Sequence, residues 1–300
     1  MRQLASKYAS NKQQTMKYGL LLQTCNSDIL LTRQLLLRIA ELGGWRWFSD
    51  IFFYIDQDLS QDEFELVVLP CVPKGLKAHL FPASAFDEWR QNKRETAVRL
   101  YKAVSEWNID FVKFDADLYF NNLDFLTEFR GKVGFAGRKM PFWAGAKIGR
   151  EELEFIQGGI VFFGPMARKM LRTISEEDLA GVIDALPGLI KIGSGYTWER
   201  CQRYFMHEDI LVSGILRQLY GVPIHHIKHL QVSPYDLGID FKESSFSAAE
   251  FFELFSRHTV CAYHYEGANW GNRITMNKYL KWVYNRAVKP AAVETKTIEG

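Results

Sequence analysis

The chain has 300 residues, 47% of them hydrophobic and 24% charged, with a mean hydropathy of −0.16; that is enough ordinary globular sequence to bury a large core. A formal charge of +2 excludes the basic excess of a dedicated nucleic-acid binder, and no run approaches the roughly 18–20 apolar residues of a membrane span. Cys25, Cys71, Cys201 and Cys261 form no CxxC pair, which argues against structural zinc, and Cys25 and Cys261, in strand-like runs, read as free, buried thiols of a reducing compartment.

The opening residues, MRQLASKYASNKQQ, are polar and carry no secretory apolar region, so a cytoplasmic location is expected. After this lead of residues 1–16, YGLLLQT at 18–24 predicts a buried strand. Residues 28–42 carry apolar positions at helical spacing and stop at Gly43-Gly44, a helix C-terminal signal. Residues 50–56 and 64–69 predict two further strands, and 70–82 a loop. A long amphipathic helix is expected over 85–107, and 110–114 (DFVKF) returns as a strand that runs directly into Asp115-Ala116-Asp117.

Strands at 133–137 and 159–163 follow. The later chain predicts a helix at 201–220, a strand at 222–227, a helix at 248–255, a strand ending in His264, and a basic helix at 272–287. Short apolar strands alternating with helices indicate an α/β fold, a mixed, mostly parallel central sheet between helical layers. One domain over 17–289, with a first half to about 137 and a second from 138, precedes a flexible tail at 290–300.

Asp115 and Asp117 stand at the carboxyl end of a strand, where such sheets collect their ligands. Two carboxylates at i and i+2 project to one side and repel unless a cation joins them. Hard divalent ions with oxygen ligands, Mn²⁺ or Mg²⁺, match such a pair, and diphosphate oxygens would complete the coordination.

The stretch VKFDADLYFNNLDFL resembles the acidic motif of the fringe and β1,3-galactosyltransferase family (glycosyltransferase family 31), through Lys113, Asp115, Asp117, Tyr119, Phe120 and Asn121. Ala116 departs from it, replacing a middle acid. Two further blocks follow in the family's order: Gly158-Gly159-Ile160-Val161 after an aromatic-rich loop, and Glu208-Asp209 within HEDILV.

The resemblance implies a GT-A fold and a metal-dependent, inverting transfer from a nucleotide sugar, a uridine diphosphate sugar, to an acceptor hydroxyl. It implies Asp115, Asp117 and the late His264 as metal ligands. Asp209 is implied as the base that takes the acceptor's proton, with Glu208 in reserve. Gly158 and Gly159 would allow close approach of the donor. Thr24, Arg33, Lys93, Lys113 and Asp115 are further candidates for holding the nucleotide.

The acceptor stays open among a glycan, a glycolipid, a protein and a modified DNA base. Basic runs at 169–172 and 278–286 leave room for an anionic acceptor or peripheral membrane contact. Two other readings of the acidic pair also stay open: a non-catalytic carbohydrate-binding scaffold, and a haloacid-dehalogenase-type phosphatase.

Overall fold

The computed structural model describes residues 17–85, 93–228, 230–232 and 262–264, with 93–95, 119, 231–232 and 262–264 described by backbone alone. β1 (Tyr18–Thr24), α1 (Ile29–Glu41), β2 (Phe48–Ile55), α2 (Gln61–Val67), β3 (Lys77–Pro82), α3 (Lys93–Ser105) and β4 (Phe111–Phe114) make up the first half. β1 lies between β2 and β4 and runs parallel to both, with β3 parallel to β2 at the edge.

The second half adds β5 (Leu118–Phe120), β6 (Phe135–Pro141), β7 (Lys147–Ile148), β8 (Glu151–Glu152) and β9 (Glu154–Phe163). The helices α4 (Pro165–Thr173) and α5 (Glu176–Leu189) follow, then β10 (Ile190–Lys191) and α6 (Trp198–Phe205). A π-helical segment, Ile210–Leu216, leads into α7 (Arg217–Leu219), β11 (Ile224–His226), β12 (Gln231–Val232) and β13 (Ala262–His264).

The main sheet has seven strands in the order β11-β6-β9-β4-β1-β2-β3. It is parallel except at β9, which runs antiparallel to both of its neighbours. Alternate side chains of the strands enter different cores, because successive Cβ atoms point to opposite faces. Leu20, Leu22, Phe53, Val112 and Phe114 pack with Leu36 and Ile39 of α1 and Phe64 of α2. Leu21, Phe52, Phe111 and Phe163 pack with Val98 and Tyr101 of α3 and Leu171 of α4. Burial on both faces explains why these strands are nearly continuous apolar runs.

Several elements differ from the sequence expectation. Residues 64–69 were expected as a strand on the strength of their apolar run, yet Gln61–Val67 is a helix. The Ser60 hydroxyl accepts the Glu63 amide, Asp62 and Glu63 occupy the first turn, and Phe64 and Val67 turn inward. An N-cap and helical spacing together outweigh β-branched content. The expected loop at 70–82 contains β3, whose exposed edge position hides the usual apolar alternation. The helix expected over 85–107 is described as α3 from Lys93 to Ser105. The helix expected over 201–220 is broken between α6 and Glu208, and it resumes through the π segment.

The helices expected at 248–255 and 272–287, Cys261, and the tail lie outside the described residues. Cys25, Cys71 and Cys201 are free thiols. Among the described residues no helix is long and apolar enough to cross a membrane.

Candidate active site

The register of the central strands sets the site. Thr24 pairs with Ile55, and Leu22 with Phe114. Asp56 and Asp115, the first residues beyond β2 and β4, therefore leave the sheet on either side of the end of β1. A cavity of about 290 Å³ opens there, lined by Gln23, Thr24, Cys25, Asp28, Tyr54, Asp56, Asp115, Ala116 and Asp117. A second space of about 170 Å³ shares Gln23, Tyr54 and Asp56 with it and reaches Thr96, Ala97, Leu100 and Glu208. The two form one cleft along the carboxyl ends of the strands, the expected place for a ligand in such a sheet. Four aspartates line the larger cavity, and no lysine or arginine stands among its described lining residues.

The acidic pair is fixed from behind by the paired glycines. The Asp115 amide donates to the Gly159 carbonyl (2.9 Å), and the Lys113 ammonium donates to the Gly158 carbonyl (3.0 Å). Lys113 lies on β4 with its side chain 2% exposed, paired with Asp115 and, at 2.7 Å, with Glu208. Burial opposes its charge, but the carboxylates of Asp115 and Glu208 outweigh that and hold its pKa well above the ordinary lysine value. Tyr101 is buried on α3, where burial first, and then the nearby Glu208 charge, push its pKa well up. Asp117 is buried, whereas Asp115 keeps about a quarter of its side chain exposed.

Asp209 follows Glu208 in the first turn of the helix that becomes the π segment. Its carboxylate accepts the Ile210 amide at 2.9 Å and lies against Gly158, where a Cβ would stand 3.5 Å from Oδ2. Burial, then the neighbouring Glu208 charge, raise its pKa to about 6. The register of the π segment is held by Ser213, whose hydroxyl accepts the Ile156 amide of β9 (2.8 Å) and donates to the Asp209 carbonyl (2.7 Å). Single π turns inside helices recur at functional sites.

The structure thus brings Lys113, Asp115, Asp117, Gly158, Gly159, Glu208 and Asp209 into one neighbourhood. Of the acidic pair on the helix, Glu208 lines the smaller space, and Asp209, partly exposed, lies against Gly158 beside it. Thr24 lines the larger cavity, its hydroxyl accepting that of Thr32 at 2.9 Å. Arg33 sits on α1 toward Cys71, where its charge opposes the effect of burial on that thiol, and it does not line the cleft. Lys93 is the first residue of α3 and is described by backbone alone. His264 ends β13, and its backbone pairs with Leu118, the residue after Asp117.

The basic run at 169–172 is partly spent inside the protein: Arg172 donates to the Ser105 carbonyl, and its neighbour Arg168 pairs with Asp110. Asp28, Asp56, Gln23, Tyr54 and Tyr101 are site residues that the motif reading missed. For Asp56 a signal existed, since it ends a strand parallel to the one that ends in Asp115.

No protein-family model and no curated protein sequence matches the chain. Among solved structures it is similar to the bifunctional glycosyltransferase WbbM, with TM-score 0.53 and 12% identity over 91% of this chain. The chain spans about half of WbbM, 52% of its length. It is also similar to the galactosyltransferase LgtC, solved with donor and acceptor sugar analogues, with TM-score 0.50 and 12% identity over 88% of this chain and 95% of that one. These likenesses establish the fold: the chain has the α/β GT-A architecture of those glycosyltransferases.

Proposed function

We propose that the chain is a metal-dependent glycosyltransferase that moves a sugar from a nucleotide-sugar donor to an acceptor hydroxyl. The observation that carries this reading is the acid-lined cleft at the carboxyl ends of β1, β2 and β4. A nucleoside diphosphate brings at least two negative charges against Asp28, Asp56, Asp115 and Asp117, an encounter that is unfavourable unless a divalent cation intervenes. The described donor set fits a hard cation in part. Asp115, which also pairs with Lys113, and Asp117 supply two carboxylates, and no group of three or more potential ligands occurs among the described residues. His264 would be the third ligand, because the β5–β13 register brings its backbone opposite the residue that follows Asp117. Bound Mn²⁺ or Mg²⁺ would supply Lewis-acid neutralisation of the departing diphosphate.

The other roles follow from the chain's own residues. Lys113 is a positioning residue: its buried ammonium ties the Asp115 carboxylate to Glu208 and to the Gly158 carbonyl. In an inverting transfer Asp209 takes the proton of the acceptor hydroxyl as the new bond forms, and a carboxylate raised to about 6 is a better base than an ordinary one. The uridine diphosphate donor and the fringe-like assignment rest on the resemblance of the three sequence blocks.

The test is turnover of uridine diphosphate sugars with Mn²⁺, with and without EDTA, and NMR of the anomeric configuration of the product. Metal-dependent turnover with inversion is expected. Turnover undiminished in EDTA would overturn the metal assignment, and retention would remove Asp209 from the role of base. Stabilisation by no nucleotide sugar at all would favour a non-catalytic scaffold.

A further inference from the structure

The second half of the fold carries an aromatic surface that the donor cleft does not use. Trp143, in the loop after β6, is 46% exposed, and Tyr196, in the loop before α6, is 37% exposed. Their rings meet edge to face at 4.9 Å, and Tyr204 of α6 approaches Trp143 in the same way at 5.5 Å. Tyr204 stacks in turn on His207 at 5.7 Å, and His207 directly precedes Glu208.

This surface is rigidly supported. Trp143 stacks on buried Phe142, which stacks on buried Phe205, which stacks on Trp198. The two loops are joined where the Gly193 amide donates to the Ala144 carbonyl at 3.0 Å. Large aromatic rings held half in water on a packed base present contact area at little entropic cost, and such patches mark binding sites.

The charge around the patch narrows the occupant. Arg200 lies 5.6 Å over the Tyr196 ring, and Arg203 lies 4.7 Å over the Tyr204 ring while donating to its hydroxyl at 2.7 Å. Both guanidinium groups belong to exposed residues, and neither pairs with a carboxylate among the described residues. The neighbouring acid, Glu199, is exposed in the first turn of α6, where its own backbone amide and then the Thr197 side chain hold its pKa below the ordinary value. An arginine resting on an aromatic face keeps most of its donors for an anion, and its planar fork suits a carboxylate or a phosphate.

We infer that exposed Trp143 and Tyr196, backed by Tyr204, form the acceptor subsite of the enzyme, which holds a sugar ring whose carboxylate or phosphate is read by Arg200 and Arg203. The inference rests on the transferase reading for the word acceptor. The platform runs through His207 to the two acids at the start of the next helix, so a sugar bound on it lies on the side of the cleft where Glu208 and Asp209 stand. A neutral glycan would use the rings and leave the two guanidinium charges without an anionic partner.

Saturation-transfer NMR on the full chain tests this without turnover. The probes are a glucuronic-acid disaccharide and mannose 6-phosphate, each paired with its neutral counterpart, glucose disaccharide or mannose. Both anionic probes, or one of them, should bind about tenfold more tightly than the neutral partner, and the stronger arm distinguishes carboxylate from phosphate. Trp143→Ala should weaken binding about tenfold, as should Tyr196→Ala. Arg200→Gln with Arg203→Gln should remove the preference for the anion while leaving neutral binding in place.

Equal binding of charged and neutral probes, or undiminished binding by both aromatic variants, would overturn the inference. Binding of uridine diphosphate with Mn²⁺, followed by thermal shift in the same variants, reports separately on the transferase reading. That binding should be unchanged in all of them, and its loss in the unmodified protein would count against the donor site rather than the platform.

Discussion

Asp209 is held in an environment that favours its protonated form. Its pKa of about 6, against an ordinary 3.8, means that the native state binds a proton between about pH 4 and 6 that the unfolded chain releases. The stabilisation from this proton is complete below about pH 4 and is lost as the pH rises through 6. Asp209→Asn should therefore raise stability by about 2–3 kcal/mol at pH 8, with the difference vanishing near pH 4, as measured by urea unfolding. If Asp209 is the base, the same variant keeps donor affinity and loses transfer by roughly three orders of magnitude. Wild-type transfer should then rise with pH through about 6 before levelling.

Lys113 gives the complementary case. Lys113→Met leaves Asp115 and Glu208 without their buried counter-charge and should cost about 3–5 kcal/mol at neutral pH. These residues differ in how legible they were. Asp115, Asp117, Gly158 and Asp209 sit in blocks with a recognisable pattern. Lys113 was recognised in the same block, but its place between two carboxylates depends on Glu208, ninety-five positions later, and no spacing records that pairing. Asp28 and Asp56 are single acids at a helix cap and a strand end, and only the sheet order brings them to the cleft.

Between residue and fold, the π segment controls where Glu208 and Asp209 point. Ser213 bridges the Ile156 amide and the Asp209 carbonyl, so Ser213→Ala strips a buried amide of its acceptor and should destabilise the chain by about 1–3 kcal/mol. Transfer should fall with it, because Asp209 loses the contact that fixes its turn. Full activity in a destabilised Ser213→Ala protein would detach the π turn from the site. The strands β1, β2 and β4 were legible because burial on both faces writes them as apolar runs. β3 was not, since an edge strand has one exposed side, and α2 was misread because Val67, Val68 and Leu69 mask its capped start. The break between α6 and the π segment is set by tertiary bonds to β9, which no local pattern carries.

At the scale of the molecule, the fold gathers negative charge at one end of the sheet while the chain as a whole carries +2. The overall charge therefore argues against a nucleic-acid binder without describing the cleft, and the local field decides what enters there. An α/β fold of strands alternating with helices was expected from the order of elements, and the seven-stranded sheet has that form. The sheet is mixed and mostly parallel, as expected; that β9 is its antiparallel strand was not written in the sequence, and β9 supplies both glycine carbonyls that hold Lys113 and Asp115. The acidity of the cleft leads to the most direct test, calorimetric titration of uridine diphosphate into the protein with Mn²⁺ and then with EDTA, repeated on Asp117→Ala. Binding should require Mn²⁺ and weaken at least a hundredfold, by about 2.7 kcal/mol, in EDTA or in the variant. Equal affinity in all three titrations would contradict a metal-organised donor site at Asp115 and Asp117.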